Sequence, residues 1–265
     1  MGQRDLEKGM NKLFLQEDLR NAGEEICITG PDAHHLRDVL RMRPGELFLA
    51  SCGNEWEYTC RVESIGEGDL RASIVDAQKP GRELPSRIVL MQCLPKGDKM
   101  ETVVRKAVEL GAAEIVPVTS SRCVVKLDAK KAEAKGKRWN AVSKSAAKQA
   151  KRMVIPAVHR VLGFPEALQY AGRLKGRETD AGPVLLMPYE NAQGMEGTRQ
   201  LLSSIQPGQP VVILIGPEGG FSPNEVLEIK SAGGISASLG KRILKTDTAA
   251  ISVLAMINYE YFLSG

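Results

Sequence analysis

Five apolar residues, Val211-Val212-Ile213-Leu214-Ile215, run without a break into Gly216-Pro217-Glu218-Gly219-Gly220-Phe221 and then into Ser222-Pro223-Asn224-Glu225. A short apolar run closed by glycine is the pattern of a strand buried on both faces, and such strands belong to parallel sheets covered by helices. Ser222 with Glu225 three residues later forms a capping box, with Pro223 at the first helical position, so a helix starts directly after the loop. Ligands of open α/β sheets bind at the carboxyl ends of the strands. Gly216, Gly219 and Gly220 let the backbone come close to one there. The loop is neither the phosphate-binding G-x-x-x-x-G-K-[ST] nor the dinucleotide G-x-G-x-x-G. Taken alone, it reads as a structural turn as readily as a site.

A second strand end, Ser238-Leu239-Gly240, is followed by Lys241-Arg242-Ile243-Leu244-Lys245 and a helix start at Thr246-Asp247, either of which can cap that helix. Two such loops in one sheet imply one shared pocket, to which Lys241, Arg242 and Lys245 bring positive charge. The alternative is an exposed basic turn followed by a cap.

Upstream, the polar segment Lys79-Pro80-Gly81-Arg82-Glu83-Leu84-Pro85 reads as a linker and divides the chain into domains 1–80 and 81–265. After it, apolar runs at 87–93, 114–118, 183–187, 211–215 and 235–239 alternate with helical patterns at 99–110 (closed by Gly111), 137–151, from Ser222, and from about 246 to 262. Strands alternating with helices predict an α/β domain with a parallel sheet. Before the linker, short β-like runs at 25–29, 46–51, 56–63 and 70–75 suggest a small barrel. One helix interrupts them after Pro31-Asp32, with Leu36, Val39 and Leu40 inward and His34, His35, Arg37 and Arg41 outward. The first nine residues read as an irregular tail.

The chain has 265 residues, 43% apolar and 26% charged, the composition of an ordinary globular protein. No apolar stretch is long enough for a membrane span and the first thirty residues are too charged for a signal peptide, which points to the cytoplasm. The five cysteines are odd in number and contain no C-x-x-C pair, and the three histidines show no metal-ligand spacing, so neither a disulfide framework nor a metal site is expected. The cysteines read instead as small buried apolar residues. Charge is concentrated: Lys126 to Arg152 holds ten basic residues against Asp128 and Glu133, a local +8 that leaves −4 for the remainder of a total of +4. A local positive field suits a polyanion partner, although a solvated helix face would carry the same charges.

The pairing of IGPEGGFSPNE with LGKRILKTDTA resembles the SPOUT class of methyltransferases, and within it the ribosomal small-subunit RNA uridine N3-methyltransferase family. LPKGDKMETVVRKAVELGAAEIVPVTSSRCVVKL (Leu94 to Leu127) and RWNAVSKSAAKQAKRMVIPAV (Arg138 to Val158) are similar to that family in the same order. DAHHLRDVLRMRPGE resembles the front of its PUA-like β-barrel. The chain departs from the family in an A-A-x-Q-x-x-R segment, where Lys148 and Lys151 replace a common acidic residue and glycine while Gln149 and Arg152 remain.

The resemblance implies an N-terminal PUA-like β-barrel and a C-terminal SPOUT α/β domain with a parallel sheet and a deep trefoil knot. It implies S-adenosylmethionine as donor and S-adenosylhomocysteine as product. The donor would be held by Leu186, Met187, Ile215, Gly216, Gly219, Gly220, Leu239, Gly240, Ile243, Leu244 and Thr246. It further implies a homodimer, with Ile251, Leu254, Ala255 and Tyr259 of the last helix as candidate contacts. The reaction implied is methylation of a uridine N3 in 16S rRNA, on free RNA or the small subunit. Arg242 would stabilise the uridinate, and Glu218 would orient it or accept its proton. N3 lies on the Watson–Crick edge, so the target base must be unpaired or flipped out. His34, Arg41, Arg122, Lys144, Lys148 and Arg152 are the expected RNA contacts. Methylation of another rRNA or tRNA base or of a ribose hydroxyl, and a non-catalytic RNA-binding assembly factor, are the alternatives. Two convergent glycine loops favour an enzyme.

Overall fold

The structure is a computed structural model and describes residues 10–15, 19, 24–176, 181–192 and 194–264, with the side chains of 262–264 excepted. The expected tail at 1–9 lies outside these residues. The chain forms two compact units: one runs to Glu83 and also takes in Lys151–Ile155, and the other comprises Leu84–Ala150 and the chain from Pro156 onward. The sequence-based division lacks that inserted segment.

The first unit contains strands β1 (Lys12–Phe14), β2 (Glu25–Thr29), β3 (Leu47–Ser51), β4 (Glu57–Ile65) and β5 (Asp69–Gln78). They form a mixed sheet in the order β1-β3-β4-β5-β2, with β1 parallel to β3 and the other pairs antiparallel. Period-two alternation sends Ile26 and Ile28 of β2 and Leu70 and Ala72 of β5 into one core with Leu36, Phe48, Cys60 and Val62. Cys60 and Cys93 are buried as expected, whereas Cys27 is exposed, because it points to the outer face of β2.

Helix α1 (Gly30–His34) continues into a π-helical turn over His35–Val39, in which the Leu40 amide donates to His35 O at 2.9 Å. The wider turn carries Val39 to the surface, 59% exposed, and corrects its expected inward place beside Leu36 and Leu40.

The inserted segment is joined to this unit by buried polar contacts. Ser51 Oγ donates to Met153 O at 2.5 Å. Glu83 receives the Arg152 guanidinium together with the Met153 and Val154 amides at 2.9 and 3.3 Å. Glu57 is fully buried and accepts from Lys12 Nζ at 2.6 Å and Arg82 at 3.1 Å.

In the second unit β6 (Ile88–Cys93), β7 (Glu114–Thr119), β8 (Ala157–Val158), β10 (Val184–Pro188), β11 (Val211–Ile215) and β12 (Ile235–Ala237) form a parallel sheet in the order β12-β10-β11-β6-β7-β8; β9 (Leu162–Gly163) pairs with β7. Every residue of β6 and β11 is buried, as the unbroken apolar run of β11 and the run of β6, apolar except for Gln92, require. The helices are α2 (Lys99–Glu109), α3 (Ala129–Gln149), α4 (Phe164–Gly172), α5 (Glu196–Ser203), α6 (Pro223–Ser231) and α7 (Thr246–Ser264). Met100, Val103, Val104 and Ala107 bury one stripe of α2, and Gly111 follows with φ 87°. A side chain at Gly111 is excluded twice, by that conformation and by Leu84 Cδ1 2.6 Å from the Cβ position. Helix α3 starts two turns before its expected position because Asp128 caps it, accepting from the Lys131 amide at 2.8 Å.

At the amino end of β7, Glu114 accepts from Tyr170 Oη at 2.5 Å, His159 Nε2 at 2.8 Å and Arg87 Nε at 2.5 Å. Burial pushes the carboxyl up, but these partners outweigh it and bring it from 4.5 to about 2. A depressed carboxyl stabilises the fold above its unfolded value and loses that contribution as pH falls through the folded one. The Glu114→Gln variant is therefore expected to lose about 2–3 kcal/mol near neutrality, and to show a flatter fall in stability from about pH 5 to pH 2. Urea unfolding across that range measures both.

Candidate functional site

The adjacency of β12, β10 and β11 brings the loops at their carboxyl ends together around a cavity of about 460 Å³. Ile215, Gly216, Glu218, Gly219, Gly220, Leu239, Gly240, Arg242, Ile243, Leu244 and Thr246 all line it. Leu186 and Met187 do not: both are fully buried in β10, and the same strand instead offers its end, Pro188-Tyr189-Glu190. Side chains within a strand covered on both faces pack into the layers, while those at its end meet the loop space.

Both loops are fixed from several sides. Thr246 Oγ1 donates to Gly216 O at 2.7 Å and is itself contacted by Gln92 Nε2 at 2.9 Å. Ser222 and Glu225 form the expected capping box, and Glu225 Oε1 also accepts from the Ser121 amide at 2.7 Å. Gly220 adopts φ 66°, and a Cβ there would lie 3.4 Å from Glu190 Oε1. In the other loop the buried Thr198 hydroxyl donates to Ser238 O at 3.1 Å and accepts from the Ser238 amide at 2.8 Å.

Glu218 Oε1 accepts from the Lys96 amide at 3.0 Å and from Lys99 Nζ at 2.9 Å. Partial burial pushes its carboxyl up, but those two donors prevail and hold it below the ordinary carboxylate range. Arg242, in contrast, is exposed at the cavity wall and makes no hydrogen bond or ion pair with the described residues. Ile243 beside it is 91% exposed.

The expected RNA contacts separate into three groups. Lys144 and Lys148 lie one turn apart on α3, in line with Lys130 and Lys137, on the side away from the buried Trp139, Ser143, Ala146 and Ala147. Among the described residues Lys144 and Lys148 have no acidic partner, whereas Lys137 and Arg138 are paired with Glu133 and Glu101. On the first unit Arg41 is exposed, at φ 53°, and His34 Nδ1 is paired with Asp38 at 2.5 Å. One assignment is corrected and another residue gains a second part. Arg152 is only 4% exposed because its guanidinium is engaged by Glu83. Arg122 Nη1 donates to Gly219 O at 3.0 Å and Phe221 O at 3.1 Å, so it braces the glycine loop.

Sequence reasoning missed Gln92, Tyr189, Glu190 and the Lys96–Lys99 clamp. Gln92 alone left a signal, as the one polar residue in the run Ile88 to Cys93. No described helix is long and apolar enough to cross a membrane, and no described group of three or more His, Cys, Asp or Glu is placed to hold a metal.

A parallel sheet with glycine loops closing a cavity over three adjacent strand ends defines an α/β enzyme domain, here preceded by a small mixed β unit. Residues 82–258 match the family model of an RNA methyltransferase domain, and residues 28–75 that of an RNA methyltransferase PUA domain. The chain is 33% identical over 253 residues to the ribosomal RNA small subunit methyltransferase E of Bacillus subtilis, covering 95% of this chain and 97% of that protein. It is 32% identical to the protein of the same name from Mycobacterium tuberculosis, over 92% and 90% of the two chains. The crystal structure of the Neisseria gonorrhoeae enzyme of that name, bound to S-adenosyl methionine, superposes with a TM-score of 0.76 at 29% identity, covering 95% and 98%. The chain belongs to this family of ribosomal RNA small subunit methyltransferases.

Proposed function

We propose that the protein methylates N3 of a specific uridine in 16S rRNA, taking the methyl group from S-adenosylmethionine and releasing S-adenosylhomocysteine, in the cytoplasm. The observation that carries this reading is a cavity in which both glycine loops meet and at whose wall stands Arg242, an arginine that no described residue engages. The cavity fits the donor in kind: Ile215, Leu239 and Leu244 supply apolar walls for an adenine, and the glycine loops expose backbone groups for its polar edges. When bound, S-adenosylmethionine supplies an electrophilic methyl group.

Arg242 stabilises the negative charge that spreads over the uracil carbonyl oxygens as N3 gives up its proton to solvent water. Glu218, ionised and already accepting two hydrogen bonds, is a weak base, and its part is to orient the loop. Arg122 and Thr246 hold the same loop, keeping the reacting atoms in register. Thr246, at the start of α7, bonds Gly216 at the end of β11, and Asn258 further along α7 donates to Leu110 O at 3.3 Å. The family's domain is the ground for proposing that the chain end threads a trefoil knot, with α7 seated by these two contacts. Ala255 and Tyr259 on the exposed side of α7, with half-buried Ile251 one turn before them, are the contacts proposed for a homodimer; Leu254 is buried within the chain.

The 1–80 region is proposed as an RNA-binding PUA-like barrel engaging through the surface around His34 and Arg41, and the lysine stripe of α3 as a phosphate contact. Reversing Lys144 and Lys148 to Glu is expected to weaken binding to small-subunit RNA at least tenfold and to flatten its dependence on salt. Filter binding over a salt series checks this, and unchanged binding removes α3 from the interface. The function itself is tested by methyl transfer from labelled S-adenosylmethionine to small subunits lacking endogenous modification, followed by nucleoside mass analysis. A single labelled N3-methyluridine is expected; label in another nucleoside reassigns the acceptor, and no transfer to subunits or naked RNA returns the protein to a binding role.

A further inference from the structure

We infer that Gln92 is a positioning residue for the loop that holds the methyl donor, acting through the hydroxyl of Thr246. This rests on the reading of the cavity as the donor site. Gln92 lies in β6 opposite Ile215 of β11, the last residue before the glycine loop, and it is fully buried. Its neighbours in the strand, Ile88 to Met91 and Cys93, are apolar. A primary amide in such a place costs free energy unless its hydrogen bonds are made.

Its bonding has a defined direction. Gly216 O can only accept, so the single proton of the Thr246 hydroxyl goes to it, at 2.7 Å. The Thr246 oxygen must then accept from Gln92, at 2.9 Å, and so must Cys93 O, also at 2.9 Å. Both contacts demand the amide nitrogen, which fixes the orientation of the side chain. Gln92 Oε1 is left buried with no partner among the described residues. A side chain present only to fill volume would be better apolar; the amide is explained by the relay it starts. That relay runs from the middle sheet strand β6, through the first residue of α7, to the first peptide of the glycine loop, and its last two members line the cavity. Gln92 therefore sets the Thr246 hydroxyl toward Gly216 O and holds the entry of the loop in one conformation before the donor arrives, which is where preorganisation increases affinity.

The test is isothermal titration of S-adenosylmethionine against the full chain, with the Gln92→Met, Thr246→Val and Thr246→Ser variants and the Gln92→Met/Thr246→Val double variant. Gln92→Met keeps the volume and removes the donor. The expected result is about tenfold weaker donor binding for Gln92→Met and for Thr246→Val, near-normal binding for Thr246→Ser, and a double variant no weaker than either single. In Gln92→Met the KM for small subunits and the melting temperature should stay at their unaltered values, which separates positioning from a merely structural role. Unchanged affinity in Gln92→Met, additive losses in the double variant, or an affinity loss matched by a fall in melting temperature would overturn the inference. Should Gln92→Met not fold, Gln92→Glu gives the same decision: donor affinity should recover in part at low pH, where the protonated carboxyl can give its one hydrogen bond to Thr246 Oγ1, and a pH profile like that of the unaltered chain would overturn it. Failure of the unaltered chain to bind S-adenosylmethionine would overturn the reading of the cavity and is distinguishable from all of these.

Discussion

Replacing Arg242 by alanine is expected to slow single-turnover methyl transfer to saturating small subunits by about 10²–10³-fold, the range found when one preorganised donor to a developing anion is removed. Donor affinity should remain within a few-fold, because the loop hydrogen bonds run through Thr246, Arg122 and Glu218 and leave the Arg242 side chain out. The guanidinium is available for this part since it is exposed at the cavity wall and no described residue engages it. Lysine at 242 should restore part of the rate by supplying charge without the planar fork. Full retention of the single-turnover rate in Arg242→Ala would falsify the assignment and move charge stabilisation to another group of the pocket, with Lys245 the next to examine.

The second large effect is on stability. Glu83→Ala removes a carboxylate that receives the Arg152 guanidinium and two backbone amides, with side-chain exposures of 10% and 5% for the acid and the base. Breaking a buried ion pair from one side costs about 3–5 kcal/mol, since the remaining charge stays desolvated. The urea midpoint should fall accordingly. The double replacement Glu83→Leu with Arg152→Met should recover much of the loss, because an apolar pair of similar volume carries no such penalty. A single variant with an unchanged midpoint would show that water reaches this pair in solution.

The layered α/β unit was legible in the sequence because strands buried on both faces leave apolar runs: 211–215, unbroken, and 88–93, broken only by Gln92, are recovered nearly residue for residue. The capping box at Ser222–Glu225 was legible for a similar reason, being a local contact between near neighbours. Both glycine loops could be placed on one pocket for the same cause, since loops at carboxyl ends of one sheet converge. What escaped depends on distant partners. Arg122 reads as a basic residue in a basic region, and only the approach of residues 219–221 makes it a brace. Arg152 reads likewise until Glu83 meets it. Val39 keeps helical spacing with Leu36, and the register is lost in a π turn that periodicity does not register. Leu186 and Met187 were read from the strand that borders the cavity, whose lining begins one residue further on, at Pro188.

The membership of Lys151–Ile155 in the first unit changes what counts as a module in this chain. A module that is contiguous in sequence can be removed, duplicated or exchanged by a single event at one junction. Here the smaller unit is completed by five residues encoded far downstream, between the basic helix and the strand at Ala157–Val158. Any rearrangement that replaced residues up to the linker would import a new surface for Met153 and a new neighbour for Arg152, and would have to match both. The two halves are thus inherited as one piece, and a change at Glu83 or Ser51 invites its compensation about seventy to a hundred residues away, in the middle of the other unit's sequence.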